Sequence, residues 1–106
     1  YIGVRLQALT PQLAREINAA TRECQLPEVN GVVVVDVLSG SPAARGGLQP
    51  CDLIESVNGQ AVRNPSEVQL AVDRGRVGQI LPIRIRRGGL NVELKLRPEE
   101  LRQQAG

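Results

Sequence analysis

The side chains of this chain that could do covalent chemistry are two cysteines, Cys24 and Cys51, and no histidine exists anywhere to activate them. Nucleophilic hydrolysis of the Ser-His-Asp or Cys-His kind needs an imidazole to take the nucleophile's proton, so none can be assembled from these 106 residues alone. Histidine-ligated metal is excluded on the same ground, and the cysteines lack CxxC or other zinc spacing. No catalytic residue, metal ligand or cofactor is expected. Sequence leaves a Cys24–Cys51 disulfide and two separate thiols both open, with small, buried, inert thiols the plainer expectation. What remains is backbone chemistry. The chain opens "YIGV", with Tyr1 its single aromatic residue. Gly3 in this stretch can bring bare backbone close to a partner and reach φ/ψ regions closed to other residues.

Composition narrows the classes further. The length suits one domain with one core. Hydrophobic content of 42% and charge of 23% are those of a globular protein, and the core must be aliphatic because Phe, Trp and Met are absent. The longest apolar run, "VVVV", is far too short to cross a membrane. No signal or transit peptide is visible, and a start on Tyr fits a piece cut from something longer. Net charge is +2, with arginine supplying twelve of the thirteen cations, which is mild for a nucleic-acid binder. In "IRIRR", Ile83 and Ile85 alternate with Arg84 and Arg86, which reads as a sheet with its guanidinium groups in solvent. No aromatic residue nearby is available to stack a base, so no nucleic-acid partner is expected.

The elements that must position "YIGV" can be read from periodicity and caps. "IGVRLQAL" alternates Ile2, Val4, Leu6 and Ala8 against Gly3, Arg5 and Gln7, the pattern of a half-buried strand. Thr10 and Pro11 open a helix whose Leu13, Ile17 and Ala20 share a face. "QLPEVNG" breaks that pattern. "VVVVDVL", Val32 to Leu38, predicts a strand covered on both faces. Ser41 and Pro42 start a short helix that Gly46 or Gly47 ends. "DLIESVNGQAV" predicts two strands around a tight Asn58-Gly59 turn. Asn64 and Pro65 begin a second long helix that stops at Gly75, with Val68, Ala71 and Val72 on one side and Leu70 elsewhere. "ILPIRIRR", Gly88-Gly89 and "LNVELKL" make a hairpin in which Leu90, Val92, Leu94 and Leu96 alternate. The order is β-α-β-(short α)-β-β-α-β-β, an α+β domain over 1–97, followed by a polar tail or linker, 98–106.

The stretch "SGSPAARGGLQPCDLIESVNGQAV" resembles a hallmark segment of PDZ domains in the form found in HtrA/Deg-type serine proteases. The resemblance rests on Ser41-Pro42-Ala43-Ala44, Gly47-Leu48, Pro50-Cys51-Asp52, Leu53 to Val57 and Asn58-Gly59. "YIGVRLQALTP" looks like the family's opening strand and "NPSEVQLAV" like its second helix. The implied architecture is a small, curled antiparallel sheet, a partly open barrel of five to six strands with two main helices, in the permuted strand order of HtrA proteins. One position departs from the family: Cys51 stands where glycine is usual. A type II turn needs φ > 0 there, which strains cysteine by about 1 kcal/mol or more. A switch to a type I turn is the expectation.

The resemblance implies a site. Tyr1, Ile2, Gly3 and Val4 become a loop whose amides hold a C-terminal carboxylate, with Gly3 keeping the approach open. The ligand lies as an added strand along Val4, Arg5 and Leu6, facing the helix that carries Val68, Gln69 and Val72. Ile2, Val4 and Val72 line an aliphatic slot for its last side chain. Val68 reads equally as core or groove, Gln69 as a hydrogen-bonding group or a mere border, and Tyr1 as a cover over the groove's end or a frayed terminus. With no histidine on the helix, apolar C-termini are the expected ligands. The implied function is capture of exposed hydrophobic C-termini of unfolded or substrate proteins, in the service of a serine protease domain of the same parent chain and of protein quality control. The alternatives are an assembly module of a homo-oligomeric parent, trimer or larger, and the PDZ domain of a tail-specific or intramembrane protease. The family setting is extracytoplasmic, such as periplasm or thylakoid lumen, with no membrane span.

Overall fold

A computed structural model describes residues 1–100. Its elements are β1 (Val4–Leu9), α1 (Pro11–Ala20), β2 (Gly31–Val37), α2 (Pro42–Gly46), β3 (Leu53–Val57), β4 (Gln60–Ala61), α3 (Pro65–Arg74), β5 (Leu81–Arg87) and β6 (Leu90–Leu96). That is the expected order, and the helices begin for the expected local reason. The side chains of Thr10, Ser41 and Asn64 accept from the amides of Leu13, Ala44 and Glu67, at 3.1, 3.2 and 2.9 Å. A proline follows each, at a position where its missing N–H costs nothing. Gly47 ends α2 in the left-handed region, φ 93°. No described helix is long and apolar enough to cross a membrane.

The six strands form one antiparallel sheet in the order β1-β2-β3-β5-β6, with β4 pairing β3 alone. This is the small antiparallel sheet with two main helices that the sequence predicts. The valine run explains its two-faced core. Val32 and Val34 pack on one side with Ile54, Ile83, Ile85, Val68 and Leu96. Val33 faces the other way, into a second cluster with Leu9, Ala14, Leu26 and Leu53, against which Leu13 and Ile17 of α1 lie. Val35 is the extra residue of a bulge, since Arg5 pairs with Asp36 while Leu6 pairs with Val34, and it ends up exposed.

Some expected burial is absent. Ala8 is exposed, because β1 turns its last apolar side chain, Leu9, onto the second cluster. In α1 it is Ala14, not Ala20, that is buried. Leu90 is 69% exposed at the hairpin tip, beyond the reach of the core, while Val92 and Leu94 are half-buried and Leu96 is buried.

Two expectations at Cys51 are corrected together. The turn keeps its left-handed residue, with Cys51 at φ 74°, so no switch to type I occurs. Its amide donates to Val34 O at 2.8 Å and Val34 N–H donates to Asp52 O at 2.9 Å, which fixes this peptide against β2 and leaves the turn no room to relax. Nor are the thiols separate. Cys24 and Cys51 form a disulfide, their Cα atoms 5.5 Å apart, tying the loop after α1 to the turn before β3. Asn18 holds the same loop by accepting from Leu26 N–H at 2.9 Å and donating to Leu26 O at 2.8 Å. Next to Cys51, the buried carboxylate of Asp52 accepts from Gln49 N–H and from two nitrogens of Arg87, all within 2.8–2.9 Å. The hydrogen bond from Arg87 to Asp52, with their mutual attraction, raises the arginine's pKa above its ordinary value.

After β6 the chain stays on the domain. Pro98 is buried, its carbonyl accepts from Gly78 N–H at 3.0 Å, and Glu99 N–H donates to Tyr1 O at 3.0 Å. The rest of the expected tail, 101–106, lies outside the described residues.

Replacing Cys24 and Cys51 with serine removes a cross-link spanning 27 positions and is expected to cost about 2–4 kcal/mol of stability. The double variant with Gly at 51 and Ser at 24 is expected to be more stable than the one with serine at both, by about 1 kcal/mol, because only glycine takes φ 74° without strain. Urea unfolding of the two variants checks both orders.

Candidate functional site

The site is best built from the carbonyls of the first three residues. Tyr1 O accepts from Glu99 N–H at 3.0 Å, Ile2 O from Ala43 N–H at 2.8 Å and Gly3 O from Leu38 N–H at 2.9 Å. The donors come from the segment after β6, the first turn of α2 and the end of β2. The described residues contain no cis peptide bond, and in a trans unit the C=O of one residue and the N–H of the next point in opposite directions. Anchoring these three carbonyls on the domain therefore turns the amides of Ile2, Gly3 and Val4 away from it. Among the described residues, nothing accepts from the amide of Ile2 or Gly3. Gly3 at φ 82° supplies the bend that lets successive carbonyls go inward, where a regular strand would alternate them.

Gly3 also answers a demand from within the protein. A Cβ built there would sit 2.3 Å from Cβ of Ser41 and 2.8 Å from its Oγ. The close approach is to the protein's own α2 cap. Ser41 Oγ donates to Leu38 O at 2.7 Å and also accepts from Ala44 N–H, so it cannot simply move aside. The phenol of Tyr1 folds back over the loop, its hydroxyl 3.2 Å from the same built Cβ, and its backbone is held by Glu99, so this terminus is not frayed.

Two clefts meet at the loop. One, of about 320 Å³, lies between β1 and α3 and is lined by Ile2, Val4, Leu6, Val68, Gln69 and Val72, with Pro65 and Ser66 at its far end. The second, of about 300 Å³, shares Ile2, Val4, Gln69 and Val72 and adds Tyr1, Gly3, Leu38 and Asp73. Among the described residues β1 is the terminal strand of the sheet, so its outer edge runs unpaired along this groove. Of the residues the sequence points to, the structure brings Tyr1, Ile2, Gly3, Val4, Leu6, Val68, Gln69 and Val72 to one continuous groove. Arg5 is exposed and lines neither cleft. Val68 is both core and groove wall, only 1% exposed.

Asp73 and Leu38 were not foreseen. Asp73 carries a signal that a closer reading could have used, because it stands four residues after Gln69 on the same helix face. The Gln69 amide donates to Asp73 Oδ1 at 2.9 Å, which occupies one oxygen of a carboxylate at the cleft. A larger cleft, about 630 Å³, opens elsewhere, between the loop after α1 and the Gly88-Gly89 turn. It borders neither the outer edge of β1 nor the loop of Tyr1 to Val4, so size alone does not make it the site.

A family model described as "PDZ domain" matches residues 33–87. The chain belongs to the PDZ domain family. It is 38% identical over 102 residues to the serine protease HTRA1B of Danio rerio, an alignment that takes in 95% of this chain and 20% of that protein. Among solved structures it is similar to the HtrA3 PDZ domain bound to a phage-derived ligand, FGRWV, with a TM-score of 0.78, 33% identity, and coverage of 93% of this chain and 84% of that one. It is also similar to the HtrA-type protease AlgW with a decapeptide, TM-score 0.83, 35% identity, over 99% of this chain and 30% of that one. The chain thus spans about a fifth of the length of the curated relatives it matches, and those relatives are HtrA-type serine proteases.

Substituting Gly3 with alanine in this PDZ domain forces both a left-handed side-chain-bearing residue and a collision with Ser41. A loss of about 1–3 kcal/mol is expected, read as a lower thermal midpoint. An unchanged midpoint would show that the loop is not packed on α2 as described.

Proposed function

We propose that this PDZ domain captures the exposed, apolar C-terminus of a polypeptide. The terminal carboxylate is taken by the amides of Ile2, Gly3 and Val4, and the residues before it add a strand to the open edge of β1. The observation that carries this reading is the pairing of anchored carbonyls with unpartnered amides at the mouth of an aliphatic groove. A carboxylate has two oxygens able to accept several hydrogen bonds, and each bond from an N–H to a charged acceptor contributes about 1.5–3 kcal/mol. Beside the loop, Ile2, Val4, Val68 and Val72 offer an aliphatic wall for the ligand's last side chain, whose burial contributes about 1.5–3 kcal/mol. Backbone pairing along β1 supplies the rest without regard to sequence.

The parent protein is a serine endopeptidase on this reading, and the domain delivers substrate ends to it or switches it on. The Cys24–Cys51 disulfide supports an oxidising, extracytoplasmic setting, since such bonds persist outside the reducing cytosol.

The test is titration with a short peptide ending in Val, as the free acid and as the C-terminal amide, followed by calorimetry. The free acid is expected to bind at least about tenfold more tightly, the loss of one charged hydrogen bond or more. Replacing the final Val with Gly is expected to weaken binding by about ten- to a hundredfold. Equal affinity for acid and amide would remove the carboxylate mechanism and leave the open edge as an assembly surface, which light scattering would then reveal as self-association.

A further inference from the structure

We infer that the segment following β6, Arg97 to Glu99, is a positioning element for the carboxylate-binding loop, and that it couples whatever happens to this segment to the affinity for a chain end. This rests on the reading of the site proposed above. Of the three bonds that anchor the loop, two come from the body of the domain, the first turn of α2 and the end of β2. The third comes from Glu99, after the last strand, and it holds the peptide unit whose amide belongs to Ile2.

The segment is built to make that bond. Pro98 is buried, and its ring restricts φ, so the residue presents Glu99 with little remaining freedom. Its carbonyl is taken by Gly78 N–H at 3.0 Å, which pins it to the turn between α3 and β5. The Glu99 carboxylate pairs with Arg45, and the same guanidinium donates to Gly40 O at 2.6 Å. Arg45 lies on α2, two residues after Ala43, whose amide holds Ile2 O. The exit segment and the α2 anchor are thus joined through one side chain. If Glu99 lets go, Tyr1 O loses its partner, the first peptide unit is free to rotate, and Ile2 N–H no longer has a fixed direction. The groove between β1 and α3 contains no residue of this segment, so its side-chain pocket is left as it was. The effect falls on recognition of the charge at the chain end and spares recognition of the apolar side chain.

Glu99→Pro removes the donating N–H, and Glu99→Ala keeps it while removing the ion pair. Each is titrated with the Val-terminated peptide as free acid and as amide, with the thermal midpoint measured alongside. Expected is a drop of roughly fivefold or more in affinity for the free acid in E99P, little change for the amide, and most of the acid-to-amide ratio retained in E99A. An unchanged ratio in E99P, or an equal loss for both peptides, overturns the inference and leaves the segment a structural clasp. Wild-type protein that binds acid and amide equally sinks the parent reading, and this one with it, and is recognisable because it needs no variant. A second measurement avoids mutation. Because coupling is reciprocal, the free acid must strengthen the Glu99–Tyr1 bond. Hydrogen exchange at the Glu99 amide is therefore expected to slow when the free-acid peptide is added and not when the amide is added; no slowing overturns the inference.

Discussion

The constraint on which the rest depends is the planarity of the trans peptide unit at three successive positions. A donor aimed at a carbonyl on one side of such a unit decides where the amide on the other side points. Here Glu99, Ala43 and Leu38 take the carbonyls of Tyr1, Ile2 and Gly3, and the following amides have only the cleft to face. The three donors are main-chain amides, so the arrangement needs neither histidine nor an aromatic residue. It does require that three separate parts of the fold be held still.

Much of the remaining structure can be understood as that holding. α2 is placed by Ser41, whose hydroxyl caps the helix, bonds Leu38 O and packs against Gly3. β2 is placed by burying valines on both faces, Val32 and Val34 on one and Val33 on the other, so it can neither tilt nor slip. The turn before β3 is bonded to Val34 in both directions and kept there by the disulfide and by Asp52 with Arg87. The buried carboxylate of Asp52 bonds Gln49 N–H within the turn and Arg87 of β5, so the turn is joined to the strand beyond β3. Cys51 at φ 74° is the local expense of holding the turn there, and the covalent tie to Cys24 prevents the turn from escaping it.

The sequence made legible whatever is decided within a few residues. Thr10-Pro11, Ser41-Pro42 and Asn64-Pro65 mark the three helix starts because capping is local, and Asn58-Gly59 marks its turn because φ > 0 at both residues is a local demand. The groove residues were legible only through the likeness of "YIGV" and "NPSEVQLAV" to a known pattern, since Ile2, Val4 and Leu6 alternate as any core strand does. What stayed hidden depends on distant parts meeting. Cys24 and Cys51 give no sign of bonding until β2 carries one loop to the other. Glycine at position 3 was readable, but its neighbour Ser41, 38 positions away, was not. The bulge at Val35 was equally hidden, because a run of four valines shows no alternation to break. Arg5 lies on the same strand, but its exposed side chain lines neither cleft.

On the proposed reading, the groove's selectivity follows from what its walls lack. Ile2, Val4, Leu6, Val68 and Val72 are aliphatic, Gln69 is neutral, and the carboxylate of Asp73 is engaged by the Gln69 amide. The cleft between β1 and α3 thus offers no charged or aromatic side chain with which to distinguish one internal residue of a ligand from another, Tyr1 and Asp73 lying only in the cleft at the loop. Discrimination is left to two features of any polypeptide's last residue, its free carboxylate and the bulk of its side chain. Both become accessible when a buried C-terminus is released by unfolding or created by cleavage. A domain working in this way would recognise that an end is exposed more than whose end it is.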